Sequence, residues 1–164
     1  RRGCYRWDRF WEFTWCVAWQ GLRLDRMKYL LDTNVVSELV KPNPDPRVME
    51  LCKQHQSELV IGAPIWHELQ FGCYRMPHSR KRELIEIFLE EVVHTNLLIL
   101  PYDEHAARWH AMERARLTRE GRTPSFVDGQ IAAITVTNSL TLITRNFNDY
   151  IVFAGLKWEN WHRG

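Results

Sequence analysis

The chain has 164 residues, 45% of them hydrophobic, and a formal net charge of +2 at pH 7. This length and apolar content predict one domain with a full core, and no apolar run approaches the ~18 residues that a membrane span needs. Residues 1–26 hold six of the 22 basic side chains and three of the 20 acidic ones, so residues 27–164 hold 16 basic and 17 acidic side chains. Their balance of −1 excludes a broadly basic surface for binding polyanions.

The first 26 residues differ from the rest of the chain. Four tryptophans recur at every fourth position, as along one side of a helix: Trp7, Trp11, Trp15 and Trp19. Two interpretations stay open, namely an amphipathic or stabilising arm and upstream sequence read from before the true start, since the first Met is Met27. We predict that residues 1–26 are an extension outside the domain, which occupies residues 27–164.

Hydrophobic patterning predicts strands that alternate with helices along the rest of the chain. The predicted strands are 28–32, 58–62, 96–102, a fourth from 140 that ends near Thr144, and a further short one near 151–153, before a final segment with Trp158 and Trp161. The predicted helices are 33–40, 46–57, 64–76, a segment capped by Ser79, a segment that is capped by Asp103 and reaches Glu120, and 123–138. This alternation favours an α/β fold with a mostly parallel sheet that is covered on both faces.

Acidic and amide side chains fall where the predicted strands end. Asp32 ends the first strand, Glu68 lies in the second turn of the helix after the second strand, Asp128 lies on the helix before the fourth, and Asn146 and Asp149 follow the fourth. Because sites in open parallel sheets form at the carboxyl ends of strands, these groups are expected to meet at one edge. Carboxylates brought together repel unless a cation joins them, and oxygen ligands suit Mg²⁺ or Mn²⁺ better than zinc. The pattern predicts metal-assisted phosphodiester hydrolysis.

Simpler or rival interpretations also apply to these residues. Asp32 alone could be a helix N-cap and Glu68 a surface residue, whereas Asp128 lies in an apolar segment where a charge needs a partner. A phosphatase with an aspartyl nucleophile is a rival, but such sites usually carry a second Asp two residues on, where this chain has Asn34. Glycine-rich phosphate loops, a Gly-x-Ser-x-Gly elbow and His-x3-His pairs are missing from the sequence. Four cysteines without a Cys-x-x-Cys pair form no disulfide framework or zinc knuckle, which favours a reducing compartment.

Four segments, in this order within residues 27–162, resemble the PIN domain, and more closely a VapC-type toxin of bacterial toxin–antitoxin pairs. They are YLLDTNVVSEL, WHELQFG, LPYDEHAARWHAMERARLTREGRTPSFVDGQIAAIT and LTLITRNFNDY, the last with Tyr150 where the family pattern has Phe. The resemblance implies a three-layer α/β/α sandwich with a mostly parallel sheet of four to five strands. It also implies a cytoplasmic Mg²⁺-dependent endoribonuclease that cuts tRNA or rRNA, with Mn²⁺ able to substitute, and that forms a homodimer and is inhibited by a cognate antitoxin.

The resemblance also assigns roles to residues. Asp32 and Asp128 match the principal metal ligands, Glu68 matches the third acidic position, and Asp149 or Asn146 matches the fourth. Four further residues lie beside this set. Thr33 and Asn34 are expected to cap the helix and to hydrogen-bond Asp32. Arg145 is expected at a phosphate oxygen or in an ion pair, and His67 is expected to be structural. The alternative from another class is a PIN fold that binds RNA or protein without cutting.

Overall fold

A five-stranded parallel sheet lies at the centre of the computed structural model, which describes residues 24–162. The strands are β1 (Tyr29–Leu31), β2 (Leu59–Gly62), β3 (Leu98–Leu100), β4 (Thr141–Ile143) and β5 (Lys157–Glu159). Their order in the sheet is β3-β2-β1-β4-β5, and each neighbouring pair is parallel. Parallel neighbours need crossover connections. Those between consecutive strands from β1 to β4 contain α-helices, and the one from β4 to β5 consists of a 3₁₀ turn and further turns. The predicted α/β sandwich is therefore confirmed.

Six α-helices connect and flank the strands in the described part of the chain. They are α1 (Thr33–Glu38), α2 (Pro46–Gln54), α3 (Ala63–Tyr74), α4 (Arg80–Phe88), which continues as a π-helix (Leu89–His94), α5 (Glu104–Arg119) and α6 (Phe126–Thr137). Short 3₁₀ turns lie at Leu24–Arg26, Gln56–Glu58 and Phe147–Asp149. The predicted caps are confirmed, because the side chains of Ser79 and Asp103 accept from the backbone N–H groups of Arg82 and Ala106.

The core packs around the middle strands and α6. Leu30, Leu31, Leu142 and Ile143 are fully buried on β1 and β4. The helix α6 is apolar nearly all round, with an unbroken buried run over 131–135, so it is enclosed between the sheet and its neighbours rather than laid on the surface. Burial of each such aliphatic side chain contributes about 1.5–3 kcal/mol to the hydrophobic stabilisation. This rigid centre fixes the strand ends that carry the acidic residues.

The prediction of a strand near 151–153 is wrong. That segment forms turns, because Arg116 donates to the carbonyl oxygen of Val152 (3.0 Å) and a carboxylate oxygen of Glu113 accepts from the backbone N–H of Ala154 (2.6 Å). The fifth strand is β5, a little further on, and it pairs through its backbone with β4. All three β5 residues have exposed side chains, so no apolar pattern marks this strand in the sequence.

The predicted extension lies mostly outside the described residues. Of residues 1–26, the structure describes only the 3₁₀ turn Leu24–Arg26, which directly precedes β1. The assignment of residues 1–26 to a segment outside the domain therefore stays a prediction. Within residues 24–162, no helix is both long enough and apolar enough to cross a membrane.

Candidate active site

An acidic cavity of about 300 Å³ lies at the carboxyl ends of β1 and β4. Its lining residues are Asp32, Thr33, Asn34, Glu68, Asp128, Ile131, Asn146, Asp149 and Tyr150. The cavity therefore includes all four carboxylates that the sequence singled out, the alternative fourth residue Asn146, and the predicted neighbours Thr33 and Asn34. Arg145 is not among the lining residues.

Asp32 is the most firmly held of the four carboxylates. It follows β1, caps α1 through the backbone N–H of Thr33 (2.7 Å to Oδ1), and is only 6% exposed. Its Oδ2 accepts from the hydroxyl of Thr144 (2.6 Å) and from the side-chain amide of Asn34 (2.7 Å). Burial raises the pKa of Asp32 and the charge of Glu68 adds to this, while the three hydrogen bonds oppose the shift. The N-cap interpretation is thus correct, and the capping carboxylate also faces the cavity.

Thr144 is a contributor that sequence reasoning missed. Its hydroxyl accepts from the Asn34 amide (3.2 Å) and from the backbone N–H of Asn146 (3.0 Å) while it donates to Asp32. The strand register explains this contact, because Leu31 pairs with Ile143 and the next residue of each strand is Asp32 or Thr144. The sequence contained both strand ends, but only the strand order shows that they are neighbours.

Thr33 and Asn34 link the strand ends to the surrounding elements. The Thr33 hydroxyl donates to a carboxylate oxygen of Glu68 on α3, which ties Glu68 to the turn that holds Asp32. The side-chain oxygen of Asn34 accepts from the backbone N–H of Arg145 (3.1 Å). The Arg145 side chain is exposed and forms no ion pair with any residue in 24–162.

Asp128 lies in the first turn of α6, facing the other carboxylates. Burial raises the pKa of Asp128, and the charges of Asp149, Asp32 and Glu68 raise it further. The phenol oxygen of Tyr150 lies 3.5 Å from Oδ1 of Asp128, a long hydrogen bond in which the phenol donates. Burial and the surrounding carboxylates raise the pKa of Tyr150, so this phenol stays protonated and neutral.

Asp149 and Asn146 both line the cavity from the segment after β4. Asp149 ends the 3₁₀ turn Phe147–Asp149, and both side chains are exposed. Among the charges that raise the pKa of Asp128, that of Asp149 has the largest effect. The backbone N–H of Asn146 donates to Thr144, which fixes the start of the turn. The segment after β4 therefore contributes a carboxylate to the cavity at position 149 and a side-chain amide at position 146.

The chemistry of the donor set fits a hard divalent cation. Every polar group that lines the cavity presents oxygen or amide, and within residues 24–162 none of the four carboxylates pairs with Lys, Arg or His. A cation would relieve the repulsion that raises the pKa of Asp128. In the arrangement described for residues 24–162, no three His, Cys, Asp or Glu side chains are gathered closely enough to hold a metal ion. The carboxylates would thus have to move closer together around an ion.

Fold and cavity define a parallel α/β domain whose carboxylates gather at the ends of the middle strands. A model of the PIN domain matches residues 29–151, and the chain belongs to this family. VapC ribonuclease Y4jK of Sinorhizobium fredii is 34% identical over 137 residues, covering 79% of this chain and 97% of that protein. Toxin FitB of Neisseria gonorrhoeae is 30% identical over 136 residues, covering 81% and 98%.

A solved structure agrees with this family assignment. The crystal structure of FitAcB from Neisseria gonorrhoeae has a TM-score of 0.75 and 30% identity, and the match covers 82% of this chain and 99% of that one. These similarities place the chain with the VapC-type toxins of toxin–antitoxin systems. The resemblance in the sequence is confirmed at the level of family and fold.

Proposed function

We propose that the chain is a Mg²⁺-dependent endoribonuclease, with Mn²⁺ able to substitute, and the toxin of a toxin–antitoxin pair. One observation carries the proposal: carboxylates from four separate parts of the chain face one cavity without a cationic partner in residues 24–162. A relative that is named a ribonuclease and another that is named a toxin support it.

The contacts that hold each residue of the cavity suggest its role in this reaction. Asp32, oriented by its three hydrogen bonds, and Asp128, at the start of α6, would hold the ion. When bound, the ion supplies an activated water and stabilises the charge that develops on the phosphate oxygens. Glu68, turned toward Asp32 by the Thr33 hydroxyl, and Asp149 would orient the attacking water or a second ion. The exposed Arg145 beside the cavity would contact a phosphate oxygen of the RNA.

The geometry disfavours both rivals. A phosphatase with an aspartyl nucleophile at Asp32 would usually carry a second Asp two residues on, but this position is Asn34, whose side-chain amide donates to Oδ2 of Asp32 (2.7 Å). A module that only binds RNA or protein would gain nothing from carboxylates that repel one another, and this repulsion raises the pKa of Asp128. Such a cluster costs folding stability, which hydrolysis would justify and binding alone would not.

The test is cleavage of structured RNA by the full chain. We expect cleavage with Mg²⁺ or Mn²⁺ and none in EDTA. Because Asp149 brings charge and Asn146 does not, Asp149→Asn should lower the rate more than ~10-fold, about 1.4 kcal/mol of barrier, and Asn146→Ala should cost less. Cleavage that persists in EDTA would refute metal dependence, and a larger loss from Asn146→Ala would move the fourth position to that residue.

The partner is tested in cells. Because the chain groups with the VapC-type toxins of toxin–antitoxin systems, we propose a cognate antitoxin for it, and we expect a homodimer as well. Induced expression should arrest bacterial growth, and co-expression of a neighbouring antitoxin gene should restore it. Asp32→Asn is the control, because it keeps the shape of the side chain and removes its charge. Arrest by Asp32→Asn equal to that by the unmutated chain would show that toxicity does not come from this cavity.

A further inference from the structure

A second cavity, of about 250 Å³, lies beside the acidic one. We call it the side cavity, and it is lined by Ala63, Pro64, His67, Tyr102, Val127 and Gln130. The same two helices line both cavities, with positions that differ by one residue. On α3, His67 lines the side cavity and Glu68 lines the acidic one. On α6, Val127 and Gln130 line the side cavity, and the residues that follow them, Asp128 and Ile131, line the acidic cavity. With 3.6 residues per turn, these are adjacent faces of each helix.

The position of the side cavity along the sheet agrees with this. Ala63 directly follows β2 and Tyr102 lies just after β3, whereas the acidic cavity lies at β1 and β4. The strand order β3-β2-β1-β4 therefore puts the two cavities next to each other on the carboxyl edge. With strands about 4.8 Å apart, the cavity centres are separated by about two strand spacings, roughly 10 Å. An RNA strand that lies along this edge would pass both.

The lining of the side cavity differs in kind from that of the acidic cavity. It contains no carboxylate, lysine or arginine. The Tyr102 hydroxyl is already bonded to Nδ1 of His110 (3.0 Å), so its ring serves as a wall. The side chains of His67 and Gln130 form no hydrogen bond with other residues in 24–162, and the His67 ring is exposed and stacks in parallel on Phe71 (centroids 6.1 Å apart). Two polar groups on a mostly apolar wall are thus left for a ligand.

We propose that the side cavity binds an unpaired base of the RNA, from a nucleotide that flanks the cleaved bond. This inference rests on the proposed function. Splayed-out bases are recognised by stacking on aromatic rings and by hydrogen bonds to their edges, which the rings of His67 and Tyr102 and the amide of Gln130 provide. A cavity without carboxylate, lysine or arginine suits the uncharged base, while the phosphate would lie at the acidic cavity with its ion. The paired donor and acceptor of a glutamine amide match adenine best.

A binding experiment tests the site without cleavage. The full chain carrying Asp32→Asn is mixed with short RNAs that hold 2-aminopurine, a fluorescent adenine analogue quenched by stacking, at each position in turn. One position should be quenched on binding. His67→Ala and Gln130→Ala, added to Asp32→Asn, should each weaken that signal about fivefold or more, the scale of one lost base contact. His78→Ala and Gln56→Ala, which remove an exposed histidine and glutamine elsewhere, should leave it unchanged.

Cleavage by the chain without Asp32→Asn gives the second readout. Across RNAs that differ only in the flanking base, we expect adenine to be preferred about fivefold or more, and Gln130→Ala to remove the preference while cleavage persists. Unchanged quenching and unchanged preference in both variants would overturn the base site and leave the proposed function intact. A protein partner whose binding alone is lost in both variants would also overturn it. No cleavage of any RNA would overturn the proposed function itself, whatever the quenching result.

Discussion

Two aspartates of the cavity are held where ionisation is unfavourable. The pKa values of Asp32 and Asp128 are raised above the ordinary 3.8, in both cases chiefly by burial. A carboxyl group whose pKa is raised by folding stabilises the fold fully only below its unfolded pKa, and this contribution is lost as pH rises through the folded pKa. At neutral pH the ionised cluster therefore opposes folding until a cation binds.

This linkage predicts the behaviour of Asp128→Asn. In EDTA at pH 7 the variant should melt at a higher temperature than the unmutated chain, because it removes a charge that Asp149, Asp32 and Glu68 repel. The difference should shrink as pH falls toward 3, where the carboxyl groups are protonated. On the proposed function, added Mg²⁺ should raise the melting temperature of the unmutated chain more, because the variant lacks one of the proposed metal ligands.

Thermal denaturation over a series of pH values, with and without Mg²⁺, measures these effects. Glu50→Gln is the matched control, since it removes an exposed carboxylate on α2. That control should respond to neither pH nor Mg²⁺ differently from the unmutated chain. A lower melting temperature for Asp128→Asn in EDTA at pH 7 would contradict the argument.

Among the helices, the contact between α5 and α6 sets the depth of Asp128. His110 is 3% exposed, and its Nε2 would lie only 2.1 Å from a Cβ built on Gly129, the residue after Asp128. The glycine is required here because a side chain would collide with the imidazole. The hydroxyl of Tyr102 holds the other side of the ring through Nδ1. The imidazole of His110 on α5 thus packs directly against the first turn of α6, which carries Asp128, a proposed metal ligand.

Gly129→Ala should therefore destabilise the chain by about 1–3 kcal/mol, the usual cost of overpacking a core. His110→Ala combined with Gly129→Ala should be destabilised by less than the sum of the two single changes, because the collision is absent from the double variant. Gly72→Ala is the control: it lies inside α3 with nothing within 4 Å of the added Cβ, so it should gain about 0.5–1 kcal/mol. Urea unfolding of these variants and of His110→Ala measures the coupling. Equal stability of Gly129→Ala and the unmutated chain would show that the helices shift freely.

These helices and strands show which structural features could be predicted from the sequence and which could not. Buried runs and caps predicted four of the five strands and the helices, because these features are local. The strand β5 escaped prediction because its side chains are exposed and only its backbone pairs with β4. Thr144 and the contact between His110 and Gly129 depend on which elements are neighbours, and no periodicity within one segment records that. The acidic set was predictable because carboxyl ends of parallel strands share one edge.

For the whole molecule, charge distribution decides how RNA can be held. Residues 27–164 carry 16 basic and 17 acidic side chains, and the candidate site itself is acidic. Such a composition gives no broad cationic face, so on the proposed function RNA would be held by few phosphate contacts together with the proposed ion and base contacts. Arg145 is the proposed cation for one such contact, since it follows Thr144 in the chain and is exposed.

The salt dependence of RNA binding tests this arrangement. Each phosphate contact on single-stranded RNA contributes about −0.7 to the slope of log affinity against log salt concentration, so few contacts predict a shallow slope. Arg145→Ala should lower the magnitude of the slope by about 0.7, because one contact is lost. The measurement uses the full chain with Asp32→Asn, at constant Mg²⁺ and varied KCl, so that the RNA stays intact. Arg47→Ala, an exposed arginine on α2, is the control and should keep the slope of its parent. If Arg145→Ala keeps that slope but lowers the melting temperature, Arg145 is structural and the phosphate must be held by another cation.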